Sequence, residues 1–262
     1  MVNKDLHGII MAGGHGTRLQ PTTKVINKHL LPVYDKPMIY YPLTTLLATG
    51  IRDISIIINP GDYENFFKLL GNGQPYGCEI TYVIQTEPGG IPEGLILAED
   101  LIANRPTTLI LGDNLLIGKG LGRDLLELTS KPGCQVFGAK VSDPQHYGVA
   151  EVDVNGGVFG LEEKPKNPKS DVAIPGLYFF DETAVSRAKN LAPSSRGELE
   201  VLDLLKSYMC DDLLNLRMLE RGSTWLDCGT HDQLLAASNL IKMLQDRQGL
   251  TYGNPADILN YV

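Results

Sequence analysis

The stretch Ile9-Ile10-Met11-Ala12-Gly13-Gly14-His15-Gly16-Thr17-Arg18-Leu19 decides how this 262-residue chain is read. An apolar run breaks into three glycines within four residues and ends on an arginine. That pattern predicts a buried strand feeding a loop with bare backbone N–H groups, because glycine carries no side chain to hold a ligand away. Bare N–H groups beside a fixed cation suit a polyphosphate. Lys28 supplies a second cation ten residues beyond Arg18. The segment reads as a triphosphate grip.

Two other glycine loops are excluded. A P-loop needs Gly, four residues, then Gly-Lys-Ser/Thr, and no such string occurs. A dinucleotide fingerprint needs Gly-x-Gly-x-x-Gly, but counting from Gly14 the sixth place is Leu19. A tight strand-to-helix turn with a surface arginine is the plainer alternative.

The length allows one large α/β body or two small ones. A hydrophobic fraction of 43% and a charged fraction of 21% are ordinary for a globular protein. The formal charge of −8 leaves no basic footprint, so no nucleic-acid partner is expected. No apolar stretch reaches the length of a membrane span, and Met1-Val2-Asn3-Lys4-Asp5 does not begin a signal peptide, so no membrane partner and a cytoplasmic location are expected. Cys78, Cys134, Cys210 and Cys228 have no metal-type spacing and fit reduced thiols.

Further along, periodicity predicts a helix over Met38–Thr49, closed by Gly50. A doubly buried strand is expected at Ile54–Ile58, a short helix at Tyr63–Leu70 and a strand at Glu79–Gln85. A helix over Glu93–Ile102 and a strand at Thr107–Leu111 follow. Strands alternating with helices imply a parallel sheet wound with helices. From Cys134 onward short strands dominate, at Val136–Val141, Val149–Val152, Val158–Glu162 and Ala173–Phe180, with turn residues between them. Helices are expected at Thr183–Leu191, from about Glu198, and over the last strong segment from His231, capped by Thr230.

Asp113 directly follows the strand Leu109-Ile110-Leu111, which places it at a carboxyl end, where open α/β sheets bind ligands. Asp227 is a second acid between apolar neighbours and a glycine turn. Each could instead be local punctuation of a turn or helix start. Two such carboxylates could hold Mg²⁺, which completes its shell with phosphate oxygens and water. Glu163-Lys164 sets an acceptor for sugar hydroxyls beside an amine for phosphate, or is a solvated charge pair. Arg196 starts a helix or faces a phosphate.

Seven strings then stand in a shared order: Ala12-Gly13-Gly14-His15-Gly16-Thr17-Arg18-Leu19-Gln20-Pro21, Asn27-Lys28-His29-Leu30-Leu31-Pro32-Val33, Lys36-Pro37-Met38-Ile39-Tyr40, Leu111-Gly112-Asp113-Asn114, Tyr147-Gly148-Val149, Leu161-Glu162-Glu163-Lys164-Pro165 and Trp225-Leu226-Asp227-Cys228-Gly229-Thr230-His231. With Pro193–Glu200, they resemble the sugar-1-phosphate nucleotidylyltransferases over nearly the whole chain. Within that family the likeness is to the short-form glucose-1-phosphate thymidylyltransferases. The resemblance implies an α/β fold: a Rossmann-like mixed, mainly parallel sheet flanked by helices, with a small β-rich sugar-binding insert. It implies one domain, with a nucleotide part over about 1–130, a sugar part over about 131–230 and a C-terminal helix over about 231–248.

Carried over by position, Met11, Ala12, Gly13, Gly14, Gly16, Thr17 and Arg18 would bind the nucleotide, with Gln85 and Gly90 reading the base. Lys28 joins Arg18 on the triphosphate, and Asp113 and Asp227 match Mg²⁺ ligands. Tyr147, Gly148, Glu163, Lys164 and Ile174 match the sugar pocket, with Arg196 near its phosphate. The implied substrates are dTTP and a sugar 1-phosphate, glucose 1-phosphate first, giving dTDP-glucose and pyrophosphate; a homo-oligomer is implied as well. Mg²⁺, Arg18, Lys28 and Lys164 would carry catalysis by positioning and charge neutralisation, with Asp113 counted among the catalytic residues as a ligand of the metal. UTP or another sugar 1-phosphate is the alternative, and a non-catalytic sugar-nucleotide sensor a further one. A sensor should lack at least one of Arg18, Lys28, Asp113, Lys164 or Asp227, and all five are present.

Three departures stand out. Ile91-Pro92-Glu93 replaces an apolar residue, Ala and Gln, setting an acid where the family has an amide. Ile174-Pro175-Gly176 replaces Val-Thr-Gly. Longer members also continue into helices that build an effector site and a tetramer contact, whereas this chain ends at Val262; with His29, that resembles the short form.

Overall fold

The computed structural model describes residues 5–118, 125, 127–129, 131–154 and 156–260. Residues 1–4, on which the reading against a signal peptide partly rests, lie outside the described residues.

The first strand, β1 (His7–Met11), leads into the glycine loop, and a small hairpin of β2 (Pro32–Val33) and β3 (Lys36–Pro37) follows. After the helix Tyr40–Ala48 come β4 (Asp53–Ile58), the helix Tyr63–Leu70, β5 (Glu79–Ile84), helices at Ile91–Leu97 and Glu99–Ile102, then β6 (Thr107–Leu111) and β7 (Asn114–Ile117). The second half holds β8 (Cys134–Lys140), β9 (Gly148–Val152), β10 (Val158–Glu163), β11 (Val172–Ala173) and β12 (Leu177–Phe180). Helices Ala184–Lys189 and Val201–Cys210, strands β13 (Leu214–Met218) and β14 (Thr224–Asp227), and the long helix His231–Gln248 complete it.

The main sheet runs β10-β9-β11-β8-β12-β6-β1-β4-β5, with β13 beside β8. Its centre, β6-β1-β4-β5, is parallel throughout. Beyond β6, every pair on the path is antiparallel, while β13 lies parallel to β8. This is the mixed, mainly parallel central sheet with added antiparallel strands that the sequence leads one to expect.

Strand geometry sends alternate side chains to opposite faces. Ile10, Ile54 and Ile56 accordingly pack with Leu43 and Leu46 of the helix Tyr40–Ala48, while Ile9, Ile57 and Leu109 pack on the other face with Leu95. All nine are fully buried, and each such side chain stabilises the fold by roughly 1.5–3 kcal/mol. A third cluster of Val33, Met38, Tyr41, Leu115, Cys228, Ala237 and Ile241 docks the helix His231–Gln248 against the hairpin.

Two expected elements are interrupted. The helix over Glu93–Ile102 is two helices separated at Ala98, where the backbone turns to φ −95 and ψ 10. The strand over Ala173–Phe180 divides into β11 and β12 around Ile174-Pro175-Gly176. Pro175 has no N–H for a ladder, and a Cβ on Gly176 would lie 2.4 Å from Leu111 Cγ, so the chain needs glycine to pass there. Five short strands, β2, β3, β7, β13 and β14, were not expected from the pattern. Among the described residues no helix is long and apolar enough to cross a membrane.

Candidate active site

β1 is the point where the winding of the sheet reverses: β4 and β5 extend to one side of it and β6 lies on the other. Ligands of open α/β sheets sit outside the carboxyl ends at such a point. Here the glycine loop leaves β1, and Gly112-Asp113 leaves β6 beside it, with the Gly112 N–H donating to the Met11 carbonyl at 2.9 Å.

The loop is held from behind. The Asn27 amide donates to the Ala12 carbonyl at 3.1 Å and to Asp62 at 2.7 Å, while its oxygen accepts from the His29 backbone N–H at 2.9 Å. Gly16 adopts the left-handed φ of 60°, and the Thr23 hydroxyl donates to its carbonyl at 2.7 Å. A Cβ on Gly14 would stand 3.3 Å from Lys28 Cε, so the lysine stem runs along the bare glycine backbone.

Lys28 ends on Asp113, its ammonium donating to Oδ2. Asn114 supports the same carboxylate by donating to Oδ1 at 2.9 Å. The Asn114 oxygen in turn accepts from Trp225 Nε1 at 2.6 Å and from the Gly176 N–H at 2.9 Å. Burial pushes the Asp113 carboxyl up, but Lys28, His29 and the hydrogen bonds of Lys28 and Asn114 outweigh it and hold the group well below the usual range.

Asp227 reaches the same place from β14, where it pairs with Asn114 of β7. Burial and then the charge of Asp113 raise its carboxyl, against the pull of Arg18 and Lys28. Arg18 lies across Gly229, where a Cβ would stand 2.5 Å from a guanidinium nitrogen and 2.9 Å from Asp227 Oδ1. A buried carboxylate and a half-buried one that oppose each other's charge favour a cation between them. Among the described residues, no group of three or more His, Cys, Asp or Glu could hold a metal. A divalent ion here would take these two carboxylates and fill its shell from phosphate oxygens and water, which suits Mg²⁺.

Two cavities meet at this centre, of about 290 and 460 Å³. Met11, Gly13, Gly14, Lys28, Gln85 and Gly90 line the first, together with Arg196. Arg18, Tyr147, Gly148, Ile174 and Asp227 line the second. Asp113, Glu163 and Lys164 face both. Of the expected residues, Ala12, Gly16 and Thr17 line neither; Ala12 is fully buried and its N–H donates to the Ile57 carbonyl at 2.7 Å.

The second cavity is assembled by the antiparallel strands. Gly148 pairs with Glu163, and the Ile174 N–H donates to the Gly148 carbonyl at 2.9 Å. Tyr147 packs edge-on against Trp225 with centroids 4.9 Å apart. Lys164 holds a left-handed φ of 43°, its N–H donating to the Tyr147 carbonyl at 3.0 Å, and its ammonium lies 3.2 Å from Glu163. Across the first cavity, the 194–200 segment is joined to the Gly89-Gly90 loop by the Leu199 N–H, which donates to the Gly89 carbonyl at 2.9 Å. Arg196 is steered by Glu200 at 2.7 Å.

Sequence reasoning missed the residues that hold the site in place. Asn27 and Asn114 stood inside quoted strings, yet neither was given a role. An asparagine directly before a short helix, here Lys28–Leu30, is a capping signal that could have marked Asn27. The contacts of Asn114 span 62 and 111 residues, beyond any local pattern.

The chain matches the nucleotidyl transferase family over residues 7–243. It is 46% identical over 253 residues to the glucose-1-phosphate thymidylyltransferase of Mycolicibacterium smegmatis, covering 97% of this chain and 88% of that protein. It is 48% identical over 252 residues to that of Xanthomonas campestris pv. campestris, covering 96% and 85%. A crystal structure assigned as a glucose-1-phosphate thymidylyltransferase from Bacillus anthracis, in complex with a sucrose, superposes with a TM-score of 0.85 at 38% identity, covering 96% of this chain and 99% of that one.

Proposed function

As the chain belongs to the nucleotidyl transferase family, we propose that it transfers the thymidylyl group of dTTP to α-D-glucose 1-phosphate, giving dTDP-glucose and pyrophosphate. Near-full-length likeness to thymidylyltransferases of that specificity supports the substrates. The observation that carries the chemistry is that Asp113 and Lys164 face both cavities, at the one place where two phosphorylated substrates would meet.

In this reading Met11, Gly13 and Gly14 of the glycine loop take the nucleotide, with Lys28 on its phosphates from the first cavity and Arg18 from the second, and Gln85 and Gly90 at the base. Tyr147, Gly148 and Ile174 frame the sugar, and Glu163 accepts from its hydroxyls. Lys164 and Arg196 face the sugar phosphate. An oxygen of that phosphate attacks the α-phosphorus in line. The new P–O bond forms as the bond to the bridging oxygen of the leaving group breaks, and its electron pair departs with pyrophosphate. The nucleophile is already an anion at neutral pH, so no general base is required. The barrier is the approach of two anions, which is lowered by positioning and by fixed cations. Asp113 and Asp227 would hold Mg²⁺, which when bound spreads negative charge on the phosphate oxygens.

Pyrophosphate release is the test, with Mg²⁺, across four nucleoside triphosphates and a panel of sugar 1-phosphates. Selective release with dTTP and glucose 1-phosphate is expected. Another selective pair would keep the chemistry and move the specificity, and no release with any pair would leave a sensor.

A further inference from the structure

We propose that Glu93 is a positioning residue that sets which pyrimidine the first cavity accepts, by turning the Gln85 amide so that its oxygen faces the base. The inference rests on the nucleotide reading given above and extends it to a residue behind the pocket.

Gln85 is buried, at 7% exposure, and lines the first cavity. Its Nε2 donates to Glu93 Oε2 at 2.5 Å and, at a longer 3.4 Å, to the Gly90 carbonyl. A carboxylate and a carbonyl only accept, so the amide can meet both with its NH₂ end alone. A flipped amide would set its oxygen against two acceptors. Oε1 is thereby committed to the opposite side, over the glycine loop, where a Cβ on Gly13 would stand 2.8 Å from it.

Glu93 lines neither cavity. Its carboxylate is tucked against Gly89, where a Cβ would lie 2.2 Å from it, so any side chain at 89 would displace it. An amide at position 93 could donate or accept and would leave Gln85 free to turn. The acid removes that freedom. The cavity then offers the base edge an acceptor from Gln85, which the N3–H of thymine or uracil satisfies and the N3 lone pair of cytosine repels.

Glu93→Gln keeps the volume and tests the orientation. Initial rates give kcat/KM for dTTP and dCTP with glucose 1-phosphate, and calorimetry gives the affinity of each nucleotide alone. The preference for dTTP over dCTP should fall about tenfold in the variant, the effect of one hydrogen bond no longer enforced, with Tm and the KM for glucose 1-phosphate as in the wild type. An equal loss with both nucleotides and an unchanged preference would overturn the inference and leave the proposed function standing. A wild type that releases no pyrophosphate would overturn the proposed function instead. The calorimetric preference, compared between wild type and Glu93→Gln, would still decide the role of Glu93.

Discussion

The Lys28 ammonium is hydrogen-bonded to the Asp113 carboxylate across 85 residues of sequence, and both groups are largely shielded from water. A buried pair of this kind is costly to break from one side, because the survivor is left charged and alone. Lys28→Met should destabilise the protein by about 3–5 kcal/mol in urea unfolding. Adding Asp113→Asn to it should recover much of that stability and none of the activity. If the double variant is no more stable than Lys28→Met, the pair does not act as a unit.

Asp113→Asn alone should lower kcat by about 10²–10³-fold or more while the circular dichroism spectrum is retained. Turnover near the wild-type rate would remove Asp113 from the reaction centre.

Asn114 joins that centre to the second cavity, which it lines with Trp225 and Gly176. Asn114→Asp keeps an acceptor for Trp225 and Gly176 but replaces the donor to Asp113 with a like charge. The expected result is a folded protein whose kcat falls about 10–100-fold, the usual effect of losing a partner that orients a metal-binding carboxylate. A titration of Mg²⁺ against rate should show a raised requirement; an unchanged curve would confine Asn114 to the fold.

His29 predicts a pH dependence of stability. Burial first, and then the charge of Lys28, lower its ring from 6.5 to about 3. In the unfolded chain it gains a proton near pH 6.5, whereas in the native protein it stays neutral until about pH 3. Its contribution is therefore complete above pH 6.5 and is lost progressively as pH falls toward 3. Unfolding free energies at pH 7.5 and 5 (roughly the two sides of the ordinary histidine range) should differ less in His29→Gln than in the wild type.

Gly90 and Gly222 form a matched pair, with φ of 93° and 94°. A Cβ at Gly222 meets nothing within 4 Å, whereas at Gly90 it would stand 2.1 Å from the Leu199 carbonyl oxygen. Gly222→Ala should cost about 1 kcal/mol of backbone strain. Gly90→Ala should cost more and also raise the KM for dTTP, because it drives the 194–200 segment off the Gly89-Gly90 loop of the first cavity. Equal Tm losses in the two variants would mean that this junction carries no load.

The sheet centre was legible because its strands are continuous β-branched runs between turn residues, as in Ile54–Ile58. The strands β7 and β14 escaped notice because each is four residues long and pairs only with the other. The strand expected through residue 174 was divided by a proline and by the approach of Leu111, neither of which alters the apolar pattern. At the site, the loop glycines and the two aspartates were readable from their neighbours in sequence. The side-chain relay through Asn114, and the direction in which Gln85 points, depend on partners that only folding brings near.

Lys164 carries a conflict within its own residue. A side chain at φ 43° is strained by roughly 1 kcal/mol or more, and glycine would relieve it. Glycine would also delete the amine that both cavities share. Durability alone favours glycine at this position, whereas the role proposed for the amine at the sugar phosphate requires the lysine. A screen for heat resistance that ignores rate should therefore recover variants here that outlast the parent and no longer work.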